Sequence, residues 1–542
     1  MDIKLSKLEP SKLFKQLSTR IPNYIRNSFI STFILGFLFH FFMLTNKLPN
    51  HDDLGQLVDS MHRANSGRWF QFFPAAISSD FSMPAVNGIL AILYISIAAT
   101  IIVYLFNLKR APYYFLAGAV MISFPTIAST FTYMNAVDAY TFSLLLACLA
   151  VLLAYKYSRF GFLLAIPLIT LSLGIYQAYF GVITALMLSL VILELLENKT
   201  KLKEIIIMSI KFLFTLIMGL VFYMIMVNLT ATELTDYMGI NTMGQFSLKT
   251  IPNLIRGAYS FVYGFFFENS FAFHFPFMST VFWLGTITIL GLLIYLVHRN
   301  SMYKEYPRLI ILIVALVLLP LATNIIYVTA KGEVHLLMIY GFVILFVFSL
   351  ALLRLAIKST PSKMLSRNLI SLGSIIICLV LLLSTYNYAL ISNQTYLKLH
   401  FIYEQGFAYT NRLISRIETT PGYKAELDIV LIGEATLPPH NLADNQDELL
   451  ATGMPTVTGR EIADAPQLKE MTGSHAMVLS SNSHLILLMR SYLGFNQPIL
   501  SHSDQQLGEN LLKNVHEMSV YPDDDSIRIV DNQIVVKFSE NN

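Results

Sequence analysis

Between residues 28 and 390 the chain is a succession of apolar runs, and nothing else in the sequence restricts its fold as strongly. Crossing about 30 Å of hydrocarbon at 1.5 Å per residue takes about 20 mostly apolar residues. Eleven runs are read as spans: 28–46, 86–106, 112–131, 136–154, 161–176, 178–196, 206–228, 279–297, 308–328, 335–357 and 368–390. Backbone polar groups cannot be left unsatisfied in lipid, so these runs must be helices. The expected fold class is mainly α, a polytopic membrane protein with about eleven transmembrane helices. Composition agrees: 55% of the 542 residues are hydrophobic and only 13% charged, against about a quarter charged in soluble domains. A net charge of +3 gives no basis for nucleic-acid binding. Cys148 and Cys378 both lie inside apolar runs, so neither a disulfide framework nor a cysteine metal site is expected. The first run has full span length and no small-residue cleavage site, and it reads as a signal-anchor.

Orientation follows from the basic residues, which concentrate on the cytoplasmic side of membrane proteins. The tail 1–27 carries Lys4, Lys7, Lys12, Lys15, Arg20 and Arg26, and Leu5, Leu8, Leu13 and Leu17 among them suit a helix lying on an anionic leaflet or a plain topogenic tail. Alternate loops hold Lys109-Arg110, Lys156 and Arg159, Lys199 to Lys203, Arg299 to Arg308, and Arg354 to Arg367. The opposite loops hold few cations: Lys47, Arg63, Arg68, Lys249, Arg256 and Lys331. The N-terminus is therefore expected inside, and an odd number of spans places the segment 391–542 outside. The longer external loops are then 47–85 and the large 229–278. Two features qualify the count. The fifth and sixth spans nearly merge at Tyr176-Gln177, read as a tight turn at the membrane surface. The aromatic segment 254–267 is too short to span and reads as a re-entrant or interfacial helix.

From about residue 391 the composition becomes that of a soluble α/β domain. Helices are expected over 396–418, 484–493 and 505–517, with Thr420-Pro421-Gly422 ending the first. Leu427 to Ile432 reads as a buried strand, and 436–462 as a long loop. Ser526 to Phe538 reads as a hairpin turning at Asp531-Asn532. The histidines His440, His475, His484, His502 and His516 are scattered and read as surface residues.

Charge beside hydrocarbon is costly and tends to mark function. The first external loop opens on His51-Asp52-Asp53 and continues through Asp59 and His62-Arg63 to Ser66-Gly67-Arg68-Trp69. A carboxylate here can take the proton from an attacking hydroxyl, while its neighbour orients it or shifts its pKa. Arg68 can hold a phosphate with its planar fork, and Trp69 can stack on a sugar. Asp138, at the external end of the fourth span, is either a second acid or a helix N-cap. Tyr176 and Gln177 suit sugar hydroxyls, although interfacial tyrosines are common. In the large loop Glu233, Asp236, Arg256, Glu268 and His274 stand among aromatics. Lys331 and His335 are candidates for a lipid phosphate, since cations are few on this side. An Asp-Asp pair could hold a divalent ion, but no further ligand accompanies it, so no metal and no cofactor is expected.

These residues place the chain beside a known family. The acidic pair with Ser66-Gly67-Arg68-Trp69, the run Gly174-Ile175-Tyr176-Gln177-Ala178-Tyr179-Phe180-Gly181, and the tail from Glu404-Gln405-Gly406 to Tyr521-Pro522 resemble the type-II O-antigen glucosyltransferases, the serotype-converting Gtr proteins. The resemblance implies a GT-C-like fold in the bacterial inner membrane with its active site toward the periplasm. It implies undecaprenyl-phosphate glucose as donor, O-antigen of lipopolysaccharide as acceptor, and two functional partners, a donor-synthesising transferase and a flippase. On this chain Asp52 and Asp53 become the catalytic candidates. Arg68, Trp69, Asp138, Tyr176, Gln177, Lys331 and His335 become substrate contacts. Direct displacement with an Asp as general base would transfer glucose or another hexose. The nearest rival is an O-antigen polymerase or ligase. A lipid or glycan transporter fits less well, because the spans hold few ionisable groups and the polar material collects outside.

Overall fold

The computed structural model describes residues 21–55, 64–157, 159–231, 249–268, 274–358, 364–435, 481–502 and 509–539, with Leu234, Phe271 and Met471 singly. The basic tail before residue 21, the 436–462 loop, Asp59, His62, Arg63, Glu233, Asp236, His440 and His475 lie outside the described residues.

The protein is mainly helical with a small sheet. Among the described residues nine helices are long and apolar enough to cross a membrane, or ten if one bent pair counts as a span. Two of the eleven expected runs account for the difference. Run 112–131 is divided into Ala111–Ser123 and Pro125–Phe131, bent by 46°. Pro125 lacks an N–H and its ring crowds the preceding turn, so the helix breaks and bends here, whereas Pro167 and Pro320 are carried inside helices. Run 161–176 is the helix Gly161–Leu173, whose 13 residues extend only about 20 Å. After Leu173 the chain turns, passes through extended Tyr176, and forms the 3-10 turn Gln177–Tyr179 leading into Phe180–Glu197. The segment read as re-entrant or interfacial is a 17-residue helix, Ile251–Phe267.

The last expected span does not stop at 390. A single helix, Met364–Glu418, covers 55 residues and absorbs the separate helix expected over 396–418. The polar stretch Ser392-Asn393-Gln394-Thr395 contains no proline, so polarity changes the helix's surroundings without ending it. Termination comes at Thr420-Pro421-Gly422, where Gly422 takes φ 86°.

The chain forms two compact units. The first comprises Met1–Asn46, Ser60–Phe131 and Ala136–Asn393; the second comprises Lys47–Asp59, Thr132–Asn135 and Gln394–Asn542. Within the first unit, Gln177–Glu197 and Tyr340–Lys358 are 83% buried across their apolar windows, whereas Leu202–Thr230 and Met278–Arg299 are 22% buried. The outer helices keep Leu213, Ile217, Leu284 and Ile287 exposed, an apolar exterior that suits lipid rather than water.

In the second unit, β1 (Asp428–Ile432), β2 (Ile499–His502), β3 (Ile527–Val530) and β4 (Gln533–Lys537) form one sheet in the order β2-β1-β4-β3. β1 runs parallel to both neighbours, so it is central, and after Asp428 its sequence is apolar and buried. β3 and β4 form the expected hairpin, with Asp531 and Asn532 at φ 48° and 63°, the positive-φ pair that a tight two-residue turn needs. Val430, Ile432 and Val535 pack with Leu511, Val515 and Met518, partly from the helix Glu509–Glu517. A second helix, Asn482–Leu493, packs against the short first-loop helix His51–Gly55.

Candidate active site

Two motifs more than a hundred residues apart interlock in the first unit. Gly67 adopts φ 72°, and a side chain there would meet the Tyr223 hydroxyl at 2.5 Å and the Gln177 amide at 3.0 Å. That space lets Gln177 Nε2 donate to the Ser66 carbonyl and to the Tyr223 hydroxyl, each at 2.9 Å. Gly174 has the converse role: a Cβ would lie 2.7 Å from Trp69 Cε2, so its absence lets the indole lie against the backbone. The Phe70 N–H closes the lock by donating to the Gly174 carbonyl at 2.8 Å. Ser66-Gly67-Arg68-Trp69 is thereby fixed onto Gly174 to Gln177 with little freedom left.

Arg68 is held at the centre of this lock. Its Nη1 donates to the Tyr140 hydroxyl at 2.7 Å. The guanidinium carbon lies 5.4 Å from the Tyr140 ring centre and 5.3 Å from that of Tyr176. Those two rings are themselves stacked, 4.3 Å apart and 16° from parallel. Such an arrangement fixes the guanidinium plane, which an ammonium could not reproduce. His335 lies in the field of this charge. Burial first, and Arg68 second, pull its pKa down to about 4. His335 is thus neutral at pH 7 and offers a hydrogen bond rather than the positive charge suggested by cation scarcity.

The sign of a pH effect follows. With the folded pKa below the unfolded value of about 6.5, the unfolded chain binds more protons between those pH values. The stability associated with neutral His335 is complete above about pH 6.5 and is lost as pH falls toward about 4. Thermal unfolding of purified protein from pH 7.5 to 4.5 should show this loss, and His335→Gln should flatten it. An unchanged slope in the variant would show that His335 titrates normally.

Asp138 stands two residues before Tyr140 and is 1% exposed. Its Oδ1 accepts from Asn87 Nδ2 at 3.2 Å, while Oδ2 has no hydrogen-bond partner among the described residues. The N-cap of its helix is Ala136, with no side-chain cap bond, so the capping alternative is not the one adopted. Gln71 is also 1% exposed, with both amide atoms lacking a partner among the described residues. Lys331 is exposed at φ 54°, and its ammonium makes no hydrogen bond or ion pair among the described residues.

Asp52 and Asp53 belong to the second unit. They open the helix His51–Gly55 and occupy different environments. Asp53 is buried and ion-paired with Lys47, and its backbone N–H donates to Asn50 Oδ1 at 2.9 Å. The Asp52 side chain is 28% exposed, with His51 Nε2 at 3.6 Å from Oδ1. His51 meets the ring of His484 edge-on at 5.8 Å. His484, read from sequence as a surface residue, is half-buried here. Burial lowers its pKa, and the Asp52 charge partly opposes the shift. Among the described residues no group of three or more His, Cys, Asp or Glu side chains could hold a metal ion.

The family model described as glucosyl transferase GtrII matches residues 41–348, more than half of the chain. The chain belongs to that family. The GtrII match takes in Asp52, Asp53, the Arg68 lock, Asp138, Lys331 and His335, and it ends before the sheet of the second unit. No curated protein and no solved structure is significantly similar to the chain.

The sequence reading missed Tyr140, Tyr223, Gln71 and Asn87. Tyr140 and Tyr223 lie inside apolar spans, where a tyrosine carries no distinguishing signal. Lys47 was visible only as one external cation, and its pairing with Asp53 depends on the turn between them.

Proposed function

We propose that this GtrII-family protein transfers glucose from a polyprenyl-phosphate-linked donor to the O-antigen of lipopolysaccharide, on the periplasmic face of the inner membrane. The observation that carries the reading is the fixed, aromatic-backed guanidinium of Arg68 in a chain of a glucosyl transferase family. A planar cation suits a departing prenyl phosphate, whose charge grows as the bond to C1 breaks. The location favours the external face: Tyr140 stands near the start of Val137–Lys156, and Lys156 of a basic loop stands at its other end.

In this mechanism Asp52 takes the proton from the acceptor hydroxyl as that oxygen forms its bond to C1. The bond from C1 to the phosphate oxygen breaks in the same step, and the electron pair leaves on the prenyl phosphate. One displacement inverts the anomeric centre. Prenyl phosphate is already a stabilised anion, so the step is written without a general acid or a metal. Asp53, buried against Lys47, positions the first-loop helix rather than accepting the proton. Trp69, Tyr176, Gln177 and the Asp138 Oδ2 supply contacts to the donor sugar, His335 a neutral hydrogen bond, and Lys331 a second cation for the phosphate. A donor-synthesising transferase and a flippase act before it.

The test is co-expression with a donor synthase and flippase in an O-antigen-bearing host, followed by mass and linkage analysis of the lipopolysaccharide. The expected result is an added hexose on the repeat. An unmodified glycan, with the protein present in the membrane and donor detectable, would remove the proposal.

A further inference from the structure

The first unit contains a second polar site, in the set of helix ends that carry the basic loops. A cavity of about 280 Å³ is lined by the starts or ends of several helices, including Tyr24, Lys109, Lys156, Glu194, Glu197 and Arg354. Its two acids are already engaged. Glu194 accepts from the Tyr155 hydroxyl and from Thr200 Oγ1, both at 2.6 Å. Glu197 is paired with Arg354 at 2.8 Å and with Lys199 at 3.0 Å. The two lysines are different. Neither Lys109 nor Lys156 has an acidic partner within 4.0 Å among the described residues, and both are exposed. They lie over aromatic rings instead, Lys156 at 5.0 Å from the Tyr104 ring centre and 4.9 Å from that of Tyr155, Lys109 at 5.9 Å from that of Tyr24. The Arg354 Nε is buried with no hydrogen-bond partner among the described residues.

We propose that this cavity binds the phosphate-ester headgroup of an anionic lipid. Two ammonium groups without carboxylate partners, a part-buried guanidinium with its Nε unused, and tyrosines at the rim give a concave, cationic, hydrogen-bonding site. Leu105, Leu190 and Leu193 give it an apolar wall for the start of an acyl region. The volume suits a headgroup and not a whole lipid. Basic pockets between spans on the cytoplasmic side take anionic headgroups for these reasons. The site does not depend on the glucosyl-transfer reading, because none of its residues belongs to the Arg68 lock or to the first external loop.

The full-length protein would be placed in nanodiscs of phosphatidylcholine with and without phosphatidylglycerol, and its unfolding temperature and retained lipid measured. Phosphatidylglycerol should raise the unfolding temperature, as any ligand of the native state does. Lys109→Gln with Lys156→Gln should weaken its retention by about fivefold per lysine, roughly thirtyfold together. Lys201→Gln with Lys203→Gln removes the same charge from the start of the helix Leu202–Thr230, outside the cavity, and should leave retention unchanged. A separate arm adds glycerol 1-phosphate to phosphatidylcholine nanodiscs: stabilisation there that the lysine pair controls would support the phosphate-ester site and make a soluble ester its occupant. Equal loss in both double variants would overturn the proposal in favour of general surface attraction. No loss in either, or no stabilisation by any phosphate ester, would also overturn it.

Discussion

Asp52→Asn is expected to lower glucosyl transfer by about 10²–10⁴-fold, the range a positioned general base contributes, while leaving thermal stability nearly unchanged. Its side chain is partly exposed, with His51 3.6 Å away, and an exposed pair of this kind contributes little to stability. Asp53→Asn should behave differently. Removing the carboxylate leaves Lys47 facing a buried position without its counter-charge. Breaking a buried pair costs about 3–5 kcal/mol, and partial exposure of Lys47 places this case toward the low end. Asp53→Asn should therefore lower the unfolding temperature and the transfer rate together. Stability and initial rate measured on both purified variants separate the roles. If Asp53→Asn loses only rate and Asp52→Asn retains it, the base is Asp53 and the assignment here is reversed.

What was legible in the sequence depended on how local the cause was. Apolar run length located most of the long apolar helices, because hydrocarbon thickness acts on each segment alone. The β3–β4 hairpin was legible because its turn needs two residues that tolerate positive φ, and Asp531-Asn532 supply them. Pro125 was visible, but a run of apolar residues gives no measure of how far a proline bends a helix, and the 46° break appears only in three dimensions. The helix through 391–395 was read as interrupted because polarity changed there, although polarity does not end a helix and no proline is present. In the candidate site, Arg68, Tyr176 and Gln177 were legible as residue types in segments read as external. Their mutual lock was not. It depends on the missing side chains of Gly67 and Gly174, which let segments over a hundred residues apart approach, and on Tyr140 and Tyr223, which look like ordinary span residues.

Arg68→Lys should therefore be nearly as damaging as Arg68→Ala, with a loss of about 10²–10³-fold in kcat/KM for the prenyl-phosphate donor, the scale of removing one preorganised donor from a developing anion. Lysine keeps the charge but loses the plane that lies by Tyr140 and Tyr176 and the fork that addresses two phosphate oxygens. Tyr140→Phe isolates the positioning part of this effect. It keeps the ring and deletes the hydroxyl that accepts from Arg68 at 2.7 Å. A hydrogen bond to a charged group contributes about 1.5–3 kcal/mol, so a loss of roughly 10–100-fold is expected, with the larger share in kcat. Adding Tyr140→Phe to Arg68→Ala should cost little more, because the hydroxyl acts through the guanidinium. Initial rates with a short-chain prenyl-phosphate glucose, in detergent and with varied donor, give both parameters. Full activity in Arg68→Lys would mean that charge alone suffices and that the fixed plane has no part in the reaction. Additive losses in the double variant would mean that Tyr140 contacts the substrate itself.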